Sequence, residues 1–360
     1  LDDVLIKGKN MAFLITVIAF LIVLGIAVLV HELGHYWAAR ISGVKVLTFS
    51  IGFGPSIVKW TDKRGCTWKL SWIPLGGYVQ LYGNEDIFDR KKYDALPKAK
   101  KKGHYLSAKL WQRIMICIAG VFMNFILAFA IYTGLFYVQP RVVQLPVVGN
   151  VVAESIAWNA GVRTGDRIIR VDGKNINSRR DVIIAQQLAS ERDAMMVVHR
   201  RGENVVVRLA PAERWGIEFN PDHTFEQPKT IMGAMHSGAR EVYVQSKTIL
   251  IVLRQIITGE RSAEQLGGVI LIAELSGKAL AAGLIAFLSL IALLSVNFGV
   301  LNLLPLPVLD GGTLLMLLTE GITRKKIQGK MLEYIFIGGW IFLLFLFLFV
   351  MKNDILRLFS

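Results

Sequence analysis

Cysteine is scarce in this chain. Cys66 and Cys117 are the only two among 360 residues, too few for a disulfide framework. Charge is thin as well: 19% of residues are Asp, Glu, Lys or Arg, against about 25% in soluble domains. The shortfall is concentrated in long blocks with no charge at all, which excludes an ordinary soluble fold. Disorder is excluded too, because 53% of the chain is hydrophobic, with a mean hydropathy of +0.48, far too apolar to stay unfolded in water. The net charge of +14 is unaccompanied by any nucleic-acid motif, so no nucleic-acid partner is expected.

Four apolar blocks are present, at Met11–Val30, Ile114–Val138, Ala279–Leu309 and Tyr334–Val350. At about 1.5 Å per residue, the first spans one hydrocarbon core of about 30 Å. It is longer than a usual signal-peptide core and no A-x-A site follows it, so it reads as a retained transmembrane helix. Four spans place both termini on one side. Residues 41–110 hold 13 Lys/Arg against 5 Asp/Glu, residues 321–331 hold 4 against none, and residues 139–278 hold 18 against 15. The positive-inside bias therefore makes the first and third loops cytoplasmic and puts 139–278 and both termini outside.

Between the spans lie shorter patterns. Val44–Ser50, Ser56–Trp60, Thr67–Trp72 and Tyr78–Tyr82 are β-prone runs separated by glycine and proline. Residues 85–104 are Lys-rich and read as a membrane-face or loosely ordered segment. Residues 139–225 predict a soluble domain with strands at Val147–Val152, Arg167–Val171, Met195–Arg200 and Val205–Leu209 and a short helix at Val182–Ser190. Residues 230–257 predict an amphipathic helix on the outer membrane surface.

The chemistry concentrates in His31-Glu32-Leu33-Gly34-His35, an H-E-x-x-H pattern. On a helix the two imidazoles share a face and reach one metal ion, with Glu32 close enough to hold a water. Ionisable side chains in a span are costly and usually functional. Catalytic zinc takes three protein ligands and leaves a position open, so a third ligand must come from elsewhere. His104, His199, His223 and His236 read as surface residues. Asp310, the only acid between Lys278 and Glu320, falls at a similar depth, either as that ligand or as an N-cap for a helix at Gly311–Leu318. Just before it, Pro305 and Pro307 remove amide donors inside an apolar block. Such backbone is tolerated only against protein or a watery cavity.

These motifs resemble those of the site-2 protease family of intramembrane zinc metalloproteases, in its bacterial RseP-like branch. His31-Glu32-x-x-His35 matches the first motif and Asn302-x-x-Pro305-x-Pro307-x-Leu309-Asp310-Gly311 the second. The resemblance implies Zn2+ held by His31, His35 and Asp310, Glu32 as the general base, and Asn302 holding substrate beside Pro305 and Pro307. Gly52-Phe53-Gly54 is similar to the membrane-reentrant β-hairpin that presents substrate as an added strand. Trp111-Gln112-Arg113 and Asn124-Phe125 match a pattern around the second span. Ala160-Gly161, Gly165-Asp166 and Val171-Asp172-Gly173 resemble a PDZ domain. Val121 and Val269 depart from frequent prolines, and Thr313 from a frequent histidine.

The expected fold is thus a polytopic α-helical membrane protein with four transmembrane helices, a cytoplasmic-side membrane-associated β-region and an extracytoplasmic PDZ-like α/β domain. Residues 1–42 hold the first span and H-E-x-x-H, 43–110 the β-region and basic loop, and 111–138 the second span. Residues 139–225 form the PDZ-like domain, 226–278 an amphipathic outer segment, 279–320 the third span, and 321–360 a basic loop and the fourth. The expected activity is hydrolysis within single-pass transmembrane substrates, such as anti-sigma factors or signal-peptide remnants, in a bacterial inner membrane. The PDZ-like domain either binds a peptide C-terminus or filters substrates by size. The alternatives are a non-proteolytic metal-binding PDZ scaffold, which needs no Glu between the histidines, and a metal transporter, which needs ligands at several depths.

Overall fold

The computed structural model describes residues 2–87, 90–139, 141–189, 192–212, 214–226, 228, 230–260, 262–324 and 330–359. Four helices are long and apolar enough to cross a membrane, at Met11–Ile41, Leu110–Val138, Leu284–Asn302 and Met331–Arg357. The third is shorter than the apolar block in the sequence. It starts at Leu284 because Ala279 belongs to a preceding helix, and it stops at Asn302 because the two prolines that follow cannot continue it. Two compact units make up the chain: Leu1–Tyr132, Gly238–Ile249 and Ile256–Ser360 form one, and Thr133–Ser237 with Leu250–Gln255 the other.

In the first unit, α1 (Asp2–Ile41) is an unbroken helix of 40 residues. Small residues let its neighbours approach. Ala19 and Val23 pack against the apolar face of the third span at Phe287, Leu290, Ile291 and Leu294. A methyl on Gly34 would run into the backbone of Ala119 and Gly120 on the second span. The four β-prone runs become two long, bent strands, β1 (Val46–Thr61) and β2 (Thr67–Leu81). Residues 48–51 stand beside 77–80 on one flank and beside 67–70 on the other, while 56–61 stand beside 67–71. The runs therefore lie in the order 56–61, 67–71, 46–51, 77–81, which leaves 77–81 as an edge among the described residues. Gly52 and Gly54 make the bend in β1 at φ 86° and 84°, a region other L-residues rarely enter. Tyr36, Phe49 and Trp68 pack ring against ring beneath the sheet.

The described residues of the Lys-rich segment carry α2 (Arg90–Asp94) and α3 (Lys98–Lys101), close to His104. This histidine is buried, which corrects its surface assignment. Its Nε2 lies 2.9 Å from Asp86 Oδ2, its Nδ1 accepts from the Leu106 amide, and Tyr82 and Tyr93 flank the ring. The second span is α4 (Leu110–Val138).

In the second unit, β3 (Arg141–Gln144), β4 (Val148–Val151), α5 (Ile156–Asn159), β5 (Arg167–Val171), β6 (Lys174–Asn175), α6 (Arg179–Leu188), β7 (Ala194–Arg200), β8 (Glu203–Leu209), β9 (Ile217–Phe219) and β10 (His223–Glu226) follow in order. One sheet runs β6-β5-β7-β8, and β4 pairs with β9 and β10 with β3. Trp215, Ile168, Met196 and Leu209 fill its core. A Ser178/Asp181 capping box starts α6. The Gly165-Asp166 pair buries a carboxylate that Arg200 satisfies at 2.7 Å.

The amphipathic helix is α7 (Ile231–Ile257), as its periodicity predicts, and α8 (Val269–Ala281), α9 (Leu284–Asn302), α10 (Asp310–Thr323) and α11 (Lys330–Phe359) complete the chain. The first turn of α8 is closed from a distance: the amides of Gly268, Ile270 and Leu271 donate to the buried Asp354 carboxylate of α11 at 2.9, 2.9 and 3.2 Å. An acid belongs at a helix N-terminus, where free amides and the dipole favour it. Of the basic loop 321–331, residues 325–329 lie outside the described residues.

Candidate metal centre

The H-E-x-x-H turn sits where Gly34 of α1 lies against Ala119 and Gly120 of α4. Nδ1 of His35 donates to the carbonyl of Ile116 at 2.8 Å. In the neutral ring that bond leaves Nε2 as a bare acceptor. Nε2 of His31 lies 3.1 Å from it. Asp310, the first residue of α10, brings Oδ2 to 3.2 Å from His31 Nε2 and 3.3 Å from His35 Nε2. Oδ2 is buried and neither nitrogen meets it as a directed hydrogen bond.

Three acceptors facing one another repel unless a cation stands among them. Two imidazoles and a carboxylate are a donor set of catalytic zinc, and donors of a tetrahedral ion bound at about 2.0–2.1 Å lie about 3.3 Å apart. The triangle has that size, and these residues fit the ion. Asp310 is no helix cap: Leu309 holds the N-cap position and no side chain caps the amides there.

Several supports fix the carboxylate. Gly311 and Gly312 press against the carbonyls of Leu303, Leu304 and Leu306, where a Cβ has no room. Val308, two residues earlier, has φ 81°, a rare backbone for a β-branched residue, so the Pro-x-Pro-Val turn is held under strain by its surroundings. Cys117 Sγ donates to the Asp310 carbonyl at 3.1 Å. At the far end of α10, Glu320 takes both terminal nitrogens of Arg113 at 2.8 and 3.1 Å, a fork geometry.

The cluster opens into a cavity of about 650 Å³. Glu32, Asn302 and Phe53 line it beside His31, His35 and Asp310. So does the edge run through Gly76, Gly77, Tyr78, Val79 and Leu81. Gly52 and Gly54 are not on its wall; they bend the strand that delivers Phe53. Pro305 and Pro307 are also off the wall, and Pro307 packs against Gly339 of α11. Residues to which the sequence assigned no role in the site line the cavity too. Asn124, fully buried, places its amide 3.3 Å from His31 Nδ1. It was detectable as the one amide side chain in the apolar block Ile114–Val138. Trp340 and Leu343 of α11 close one side, with no signal in a uniformly apolar helix.

Residues 19–346 match Peptidase family M50. A protein of Rickettsia conorii named "Putative zinc metalloprotease" is 36% identical over 364 residues, covering 96% of this chain and 100% of its own length. A Rhizobium meliloti protein with the same descriptive name is 35% identical, covering 96% and 97%. The metalloprotease MmpA of Caulobacter vibrioides is 35% identical, covering 96% of each.

Proposed function

Given that the chain belongs to peptidase family M50 and is an intramembrane zinc metalloprotease, we propose that His31, His35 and Asp310 hold the zinc and that Glu32 is the general base. The convergence of three acceptors from two distant helices on one point, with Glu32 in the same cavity, carries this reading. Bound there, zinc supplies Lewis acidity that polarises a peptide carbonyl and makes water a nucleophile near neutral pH.

Glu32 accepts the proton of the attacking water and passes it to the leaving amine. Its place on the cavity wall beside His31, His35 and Asp310 puts it within reach of a water bound there. A substrate helix must unwind to expose its peptide bonds. The free edge at Gly77–Leu81 offers main-chain partners for an added strand, and Asn302 holds the backbone beside the scissile bond. His35 is oriented by the Ile116 carbonyl. Asn124 does the same for His31: with its amide oxygen turned toward Nδ1–H, it leaves Nε2 for the metal. Amide orientation is set by such partners, and orienting groups of this kind are usual around metal-bound histidine.

The soluble unit is read as a PDZ-like domain on the outer side, which binds a peptide C-terminus or excludes bulky substrates. The Lys-rich first loop is read as cytoplasmic in a bacterial inner membrane, with single-pass proteins as substrates.

The test is cleavage of a membrane-anchored substrate with a shortened outer domain by the purified chain and by Glu32→Gln side by side. We expect cutting by the first only, with zinc retained by both. Equal cutting by the two removes Glu32 from the mechanism. A Glu32→Gln chain that cuts and binds no zinc removes the metal site as well.

A further inference from the structure

A second cavity, of about 260 Å³, adjoins the catalytic one and shares Asn84, Tyr105, Val308 and Thr313 with its wall. We propose that it is a specificity pocket for one bulky apolar side chain of the substrate, one to three residues from the scissile bond. The proposal rests on the protease reading above.

The geometry follows from α10. Asp310, Thr313, Leu317 and Glu320 are spaced at i, i+3, i+7 and i+10, so one helix face carries all four. The face that begins at the proposed metal ligand continues as the wall of the second cavity. Thr313 to Leu317 lie about 4.5–10.5 Å along the axis from Asp310 at about 1.5 Å per residue. An extended substrate advances about 3.3 Å per residue, so those distances correspond to one to three residues.

The chemistry of the walls selects the occupant. Met316, Leu317, Leu332 and Phe336 are apolar, and Leu317 and Leu332 are themselves buried. The charged end is already neutralised, because Arg113 and Glu320 pair there through two hydrogen bonds. A charged side chain would therefore lose its hydration without gaining a free partner. The volume falls below the roughly 300 Å³ at which pockets for whole small molecules begin, which suits a single side chain. Strand-wise binding adds the last element, since an added strand points alternate side chains the same way and pockets for them give specificity.

The test uses the full chain in proteoliposomes and a single-pass substrate whose cut is first mapped by mass spectrometry. Positions within three residues on either side are varied singly as Ala, Leu and Phe, and kcat/KM is measured. At one position the Phe:Ala ratio should reach at least about tenfold, within the range that hydrophobic pockets deliver. Met316→Trp should bring that ratio near 1, and Met316→Ala should move the optimum toward Trp. The opposed variants guard against a folding defect in either one. A flat profile in the wild type, or a preference that both Met316 variants leave unchanged, overturns the pocket and leaves the cavity to a lipid tail. If the wild-type chain cuts no substrate at all, the protease reading falls, and the pocket with it.

Discussion

Gly120 gives the sharpest test of how the metal centre is built. A methyl added there would lie 2.7 Å from Cε1 and 2.8 Å from Cδ2 of His35, and nearer still to Nε2. Retreat of the backbone would open the close crossing at which Gly34 lies against Ala119 and Gly120, so the ring gives way first. Nε2 is the nearest ring atom, so the ring must move by about 1 Å to regain ordinary contact of 3.4 Å. That shift breaks the 2.8 Å bond from Nδ1 to Ile116 and exceeds the ±0.2 Å or so within which metal–ligand distances hold. Loss of such an orienting bond alone costs about 10–100-fold in metal affinity, so Gly120→Ala should weaken zinc binding by about 100-fold, or about 2.7 kcal/mol. A misplacement near 1 Å costs about 100-fold in rate, so saturating zinc should not restore full activity. Gly134→Ala on the same helix, where nothing lies within 4 Å, is the control and should keep both. The assay is chelator competition for zinc alongside cleavage, with helix content checked by circular dichroism. A folded Gly120→Ala chain with wild-type zinc affinity and rate would refute this account of the α1–α4 crossing.

Other perturbations have equally definite outcomes. Asn124→Leu should lower zinc affinity about 10–100-fold, and Asn124→Asp, which keeps an acceptor facing His31, should recover most of it in the same competition assay. Arg113→Leu leaves Glu320 facing a largely buried site without its fork, and should destabilise the chain by about 3–5 kcal/mol, read as a fall in thermal midpoint. A double exchange, Arg113→Glu with Glu320→Arg, should restore part of it. Burial raises the pKa of the Tyr105 phenol above its ordinary value, an effect that Arg113 partly opposes. The neutral phenol then favours the folded state, a contribution complete below about pH 10 and lost as pH rises toward the folded value. Tyr105→Phe should flatten the alkaline limb of the stability curve, and an unchanged limb would count against the buried phenol.

The parts of this molecule that were legible in sequence are those governed by short-range patterns. The spans follow from uninterrupted apolar runs, α7 from its 3.6-residue spacing, and the four strands β4, β5, β7 and β8 from short β-prone runs between turns. His31 and His35 announce themselves because four residues make one helical turn. Asp310 was ambiguous, since the same residue type serves as cap or ligand and only the fold of residues 303–309 decides which. The sheet was legible in pieces only. Four runs were visible, but their joining into two bent strands depends on how β1 and β2 pair across the bends at Gly52 and Gly76. His104 was misread because a lone histidine among lysines carries no sign that Asp86, Tyr82 and Tyr93 will close over it. Trp340 and Leu343 could not be singled out, because every position of α11 around them is equally apolar.

The proposed ligands come from opposite ends of the chain, two on α1 and one on α10. A ribosome releases them in that order. When α1 and α4 have entered the bilayer, the nascent protein holds the two imidazoles beside Glu32 but lacks the third proposed ligand, a poor site for an ion that needs three. The centre becomes complete only after α9 has inserted and the strained turn at Val308 has swung Asp310 back onto α1. If Asp310 is the third ligand, biogenesis supplies its own safeguard: the peptidase would acquire its metal last, and a chain stalled or truncated before α10 would be inert toward its neighbours in the membrane.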